Sequence, residues 1–168
     1  MSPAPRLLPA VTFQVMKGGR PATLASHDFF SGKNVALFGL AGAFLPKCHY
    51  IHLPEIAAEF ESYKASGIDA VACTAVNDPF VLEAWRQSLS VPSEIIFLAD
   101  GNGDFARGLG LLFEAQQLGL GVRSRRYAML VSDGRIEELA VEPDPTLADV
   151  SSAYSLLRVY ESWSSSRL

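Results

Sequence analysis

The sequence predicts an α/β domain built on a mixed central sheet, and three observations carry that reading. Residues 34–40 (NVALFGL) and 68–76 (IDAVACTAV) are apolar runs of the kind found in strands covered on both faces. Segments with helical spacing separate such runs, so the strands should run parallel through crossover helices. Late in the chain, residues 126–131 (RYAMLV) and 135–141 (RIEELAV) flank Ser132, Asp133 and Gly134, a hairpin signal that adds antiparallel strands.

Residues 10–16 (AVTFQVM), rich in β-formers and preceded by Pro9, open the fold as a strand. Residues 26–32 (SHDFFSG) read as a short helical turn closed by Gly32. After the 34–40 strand, Ile56, Ala57, Phe60 and Tyr63 make a helical stripe within residues 53–66, and Gly67 suits the position past a helix end. Beyond the 68–76 strand, Asp78 is placed to cap a helix whose first position is Pro79, and that helix carries Phe80, Val81, Ala84, Trp85 and Leu89. Residues 94–99 (EIIFLA) form the next strand, followed by a turn at Asp100 and Gly101. Residues 105–112 read as a short helix, 119–121 as a loop, and 147–160 as a last amphipathic helix; the serine-rich segment 162–168 reads as a frayed tail. A single domain over residues 1–168 with this order is compatible with a thioredoxin-like three-layer fold; the pattern alone also leaves a flavodoxin-like sheet open.

Composition narrows the function. A chain of 168 residues suits one domain, and 49% apolar residues can fill its core. With 14 Lys and Arg against 18 Asp and Glu, the net charge of −4 is a poor match for nucleic acid or an anionic membrane. The N-terminal segment holds Pro3, Pro5 and Pro9 and lacks the apolar run of a signal peptide, and residues 34–46 are too short to span a bilayer. The expectation is a cytoplasmic protein, in which thiols stay reduced at rest. Two cysteines cannot form a disulfide scaffold, which leaves Cys48 and Cys73 as packing or as chemistry.

In open α/β sheets ligands bind beyond the carboxyl ends of the strands. The loop after the 34–40 strand leads to Cys48 at or near the start of the next helix, where unpaired N–H groups and the helix dipole favour a thiolate. A small buried hydrophobe is the alternative reading of Cys48. Cys73 lies mid-strand and reads as core, with resolution of an oxidised Cys48 as its functional alternative. The cluster Arg123, Arg125 and Arg126 is either a solvated loop or the source of one arginine turned inward to hold a thiolate and a polar oxygen. His49 and His52 beside Cys48 suggest a metal, but a structural zinc site wants four ligands and no second Cys/His pair exists. No phosphate-binding glycine loop and no GxSxG nucleophile elbow is present. His27, the remaining histidine, sits in the 26–32 turn, which leaves a cysteine–histidine dyad without an evident partner.

Taken together, the segment NVALFGLAGAFLPKC ending at Cys48, the following His52 and Pro54, CTAVNDPF from Cys73, Trp85, FLADG from Phe97, and GLGVRSRRYA from Gly119 resemble the type II (fifth-subfamily) peroxiredoxins over nearly the whole chain. The resemblance implies a thioredoxin-like fold and peroxide reduction by thiol chemistry with no metal, flavin or other cofactor. It implies Cys48 as the peroxidatic cysteine, Arg126 as the active-site arginine, and Cys73 at the position of a second, resolving cysteine. Ala41, Gly42, Phe44, Leu45 and Lys47 would line the peroxide pocket. It further implies a hydroperoxide substrate, glutathione with glutaredoxin or thioredoxin as reductant, and a homodimer. Two departures stand out. The family motif Pro-x-x-x-Thr/Ser-x-x-Cys has Leu45 at the hydroxyl position and Ala41 at the proline position, so a weakened or re-purposed peroxidase is expected.

Overall fold

The apolar runs become the middle of a seven-stranded mixed sheet. The computed structural model describes residues 7–168, so the first six residues of the expected domain lie outside the description. In chain order the elements are β1 (Thr12–Lys17), β2 (Arg20–Ala25), α1 (Ser26–Phe30), β3 (Asn34–Gly39), a π-helical turn (Cys48–His52), α2 (Leu53–Ala65) and β4 (Ala70–Ala75). Then come α3 (Pro79–Ser88), β5 (Ile96–Ala99), α4 (Asp104–Leu109), β6 (Leu112–Glu114), β7 (Val122–Ser124), β8 (Tyr127–Ser132), β9 (Arg135–Val141) and α5 (Ala153–Ser165). The sheet order is β2-β1-β5-β4-β3-β8-β9. Its centre, β5-β4-β3, is parallel, and the β1–β2 and β8–β9 hairpins close it antiparallel on either side.

Side-chain alternation explains the three layers. Ala36, Phe38, Val71, Cys73, Ala128 and Leu130 face one way and pack with Ile56, Phe60 and Tyr63 of α2, Trp85 of α3 and Leu156 of α5. Val35, Leu37, Ala72, Met129 and Val131 face the other way, onto Phe29 and Phe30 of α1 and Phe105 and Leu109 of α4. Helices on both faces are why these strands read as unbroken apolar runs.

Local signals account for the helix ends. The Asp78 carboxylate accepts from Val81 N at 2.8 Å, and Pro79 opens α3. Gly67 follows α2 with φ +87°, a conformation that other residues adopt at a cost.

Three expectations need correction. The helix expected over 105–112 ends at Leu109, because Gly110 turns left-handed with φ +72° and a short β6–β7 hairpin follows. Strands of three residues are too short to display an alternating pattern. The last helix starts at Ala153 rather than 147: Asp144 holds Thr146 in a side-chain turn, and Ser152 caps α5 by accepting from Ser155 N at 3.0 Å. That helix continues through Ser165, so the first part of the expected frayed tail is helical, and the Arg167 guanidinium lies 4.5 Å from the Trp163 ring.

Candidate active site

The loop from Leu40 to Leu45 leaves the carboxyl end of β3 and is pinned to its neighbours. Leu40 N donates to Thr74 O at 2.8 Å, and Ala43 N donates to the Asn77 Oδ1 at 2.9 Å. Gly42 lies close to two neighbouring side chains: a Cβ there would come within 2.9 Å of both Leu45 Cδ1 and Arg123 Nη1, so those side-chain ends would have to shift. Phe44 adopts φ +64°, half-exposed, with its ring stacked on His49 at 5.7 Å. His49 in turn accepts from Trp85 Nε1 at 3.0 Å on its Nδ1. Strained backbone of this kind persists where the surroundings over-determine it.

The chain turns helical at Pro46 and stays helical to Ala65, interrupted by the π turn Cys48–His52, closed by Leu53 N donating to Cys48 O. Pro54 explains the widened turn. It has no N–H to give the carbonyl four residues back, and its ring crowds that carbonyl. The result places Cys48 and His52 both in the interior while Tyr50 and Ile51 between them face outward. Cys48 therefore sits in the first turn of a long helix, fully buried. Leu45, immediately before the helix, brings no side-chain acceptor to the orphan amides of that turn.

Of the three arginines in the basic cluster, Arg126 turns inward, Arg125 faces solvent, and Arg123 is half-buried with hydrogen bonds to Leu120 O and Val76 O. Arg126 is 1% exposed and immediately precedes the hairpin strand β8. Its Nη1 donates to His52 Nδ1 at 3.0 Å and its Nη2 to Pro145 O at 3.3 Å. A guanidinium only donates, so His52 Nδ1 is the acceptor and Nε2 carries the proton, which goes to Ser151 O at 2.9 Å. Burial first, and the Arg126 charge second, hold the His52 pKa down from 6.5 to about 3, against a smaller opposite pull from Ser151. The third face of the guanidinium, Nε–H, is buried without a protein partner among the described residues. Such an unmatched donor costs about 1–3 kcal/mol.

Cys73 faces the same core cluster as Cys48, opposite Phe38 in the β3–β4 register. Both thiols are free and buried. Burial, with a smaller contribution from Cys48, pushes the Cys73 thiol well above the ordinary range. Among the candidate pocket residues, Ala41 and Gly42 are buried, Leu45 and Lys47 half-buried, and Phe44 exposed. Among the described residues no group of three or more His, Cys, Asp and Glu side chains is gathered to hold a metal ion. His52, read from the sequence as a metal candidate, instead anchors Arg126, a role whose partner lies 74 positions away.

A family model described as Redoxin matches residues 4–157. A peroxiredoxin of Synechocystis sp. is 44% identical over 119 residues, 71% of this chain and 62% of its own length. Peroxiredoxin-2B of Arabidopsis thaliana is 40% identical over 136 residues, covering 81% of this chain and 83% of that protein. The chain is a member of the redoxin family, among the peroxiredoxins. The crystal structure of reduced Prx3 from Vibrio vulnificus in complex with H2O2 superimposes with a TM-score of 0.88 at 36% identity, covering 96% of this chain and 97% of that one. The chain spans between 56% and 62% of the length of the first three curated relatives. Peroxiredoxin membership accords with the thioredoxin-like sheet. No helix among the described residues is long and apolar enough to cross a membrane.

Proposed function

We propose that this peroxiredoxin reduces hydrogen peroxide or alkyl hydroperoxides with Cys48 as nucleophile. The observation that carries the reading is the buried Arg126, held through Nη1 and Nη2, with its Nε unpartnered among the described residues and its side chain bonded to His52 at the end of the π turn that starts at Cys48. The Cys48 thiolate attacks the terminal peroxide oxygen, the O–O bond breaks, and the alcohol or water leaves with a proton as the thiolate becomes a sulfenic acid. The Arg126 Nε–H stabilises the thiolate before the attack and the departing oxygen during it. A small thiol then condenses with the sulfenic acid, releasing water, and a second thiol restores Cys48 by exchange. Glutathione with glutaredoxin, or thioredoxin, is the proposed reductant. Cys73 is a poor resolver in this arrangement, because its thiol is buried and resists ionisation.

A homodimer is part of the proposal: Phe44, Phe80, Leu118 and Val122 leave apolar side chains exposed on the loops and helix start around the site. The cytoplasm is the proposed compartment, consistent with two free thiols. A second reading, a slow redox sensor on the same scaffold, is favoured by a single feature: Leu45 replaces the hydroxyl that would bind peroxide. Stopped-flow measurement of the peroxide reaction, with Cys48→Ser as control, decides between them. A fast, Cys48-dependent rate with turnover on glutathione and glutaredoxin supports the peroxidase. A slow rate with an ordinary thiol titration refutes it.

A further inference from the structure

We propose that Glu142 is a positioning residue for Arg126, acting through Ser151 and His52; the inference rests on the role given to Arg126 above. The segment between β9 and α5 carries two of the acceptors that orient the site. Pro145 O takes the Arg126 Nη2 proton and Ser151 O takes the His52 Nε2 proton. Glu142 closes this segment on itself. Its Oε2 accepts from Ser151 N at 2.7 Å and from Ser151 Oγ at 2.6 Å, and both residues are buried. At its other end Glu142 N donates to Arg126 O at 2.9 Å.

The bonds form a closed circuit. It runs from the Arg126 side chain to His52, from His52 to Ser151, from Ser151 to the Glu142 carboxylate, and from the Glu142 amide back to the Arg126 carbonyl. A planar guanidinium fixed at Nη1 and Nη2 has no freedom left at Nε. The direction of the unpartnered Nε–H is therefore set by two carbonyls, one of them acting through His52, on a segment that Glu142 holds shut. Ala153, at the far end of that segment, is tied to α2 by Glu55 Oε1 (2.6 Å, from Ala153 N) and by Tyr63 OH (2.6 Å, to Ala153 O). These ties fix the end of the segment, while Glu142 fixes its closure. A buried carboxylate spent on two hydrogen bonds to one serine is an expensive tether for packing alone.

The test uses the full chain and reads both the thiol and the rate. The thiol is followed by thiolate absorbance near 240 nm against pH, with Cys48→Ser subtracted and no peroxide present. Glu142→Gln should move the Cys48 titration to higher pH and lower the second-order peroxide rate on the order of tenfold, the effect of weakening one charge-assisted network. Ser151→Ala, which removes only the Oγ bond, should shift both in the same direction by less, and it stands in if Glu142→Gln does not fold. In an Arg126→Lys background, Glu142→Gln should add nothing beyond about twofold, because residues acting through one group are not additive. An unmoved titration in Glu142→Gln, or losses that multiply in the double variant, overturns the proposal. If the parent chain has no Cys48-dependent peroxide rate, the activity reading fails, and the titration in the same variants still judges the circuit.

Discussion

Replacing Leu45 by threonine tests the proposal that a missing hydroxyl weakens this site. Leu45 directly precedes the helix that starts at Pro46, is half-buried, and packs its Cδ1 toward Gly42. Leu45→Thr removes about one buried methylene equivalent, a loss of roughly 0.8 kcal/mol. It adds a hydroxyl at the position where a side-chain acceptor satisfies an orphan helix amide, a gain of about 1 kcal/mol. Stability should then stay within about 1 kcal/mol of the parent, being the difference of these two terms. The rate should not stay. A hydroxyl three residues before Cys48 can donate to the peroxide, and one such donor is worth about 10²–10³ in rate. Leu45→Thr combined with Ala41→Pro should therefore raise the second-order rate by about 10². The assay is stopped-flow tryptophan fluorescence with hydrogen peroxide and an alkyl hydroperoxide, beside urea unfolding to confirm an unchanged fold. A rise of less than about threefold in a stably folded variant would refute the argument that the missing hydroxyl limits this site.

Three further outcomes follow from the geometry. Cys73→Ser should leave the peroxide rate within about twofold, since a buried thiol that resists ionisation contributes no nucleophile, and mass spectrometry of the oxidised parent should find glutathione on Cys48 and no Cys48–Cys73 disulfide. Folding stability should fall as pH drops from 6.5 toward 3: His52 is neutral in the native state down to about pH 3, so the unfolded chain binds the extra proton in that window. The stabilisation is fully present above the unfolded value and amounts to a few kcal/mol, and urea unfolding at several pH values should show a shallower slope for His52→Gln. Pro54→Ala should let the π turn relax to a regular helix, which rotates Cys48 against His52 by about 100° for one residue of register. Its peroxide rate should fall at least about tenfold, the consequence of misplacing a reacting group, while the melting temperature holds or rises.

How much was legible in the sequence depended on how local each cause is. The parallel core strands, the Asp78 cap with Pro79, the Gly67 helix end and the β8–β9 hairpin all follow from signals within a few residues of the structure they specify. The β6–β7 hairpin escaped because three-residue strands carry no period, and the start of α5 was misplaced because the Asp144 turn and the Ser152 cap were hidden in an apparently helical stripe. Within the site, the place of Cys48 at a helix start followed from chain order, whereas charge left the Arg123–Arg126 cluster open between a solvated loop and one inward arginine until the fold buried Arg126. Pro54 was a visible signal for the π turn, although proline near a helix start reads first as an ordinary N-terminal residue.

By itself, the sequence determined the α/β class, the family pattern, the burial of Cys73 in a strand, and the absence of a hydroxyl at Leu45, because each is a matter of residue type and short spacing. Tertiary structure alone decided what holds Arg126. His52, joined to it across 74 positions, and Pro145 hold its side chain directly, and Ser151 and Glu142, from the same segment as Pro145, hold His52 in turn. Burial makes those long-range bonds count: away from water a guanidinium, a neutral imidazole and a carboxylate must be matched by partners that only the packed chain can supply.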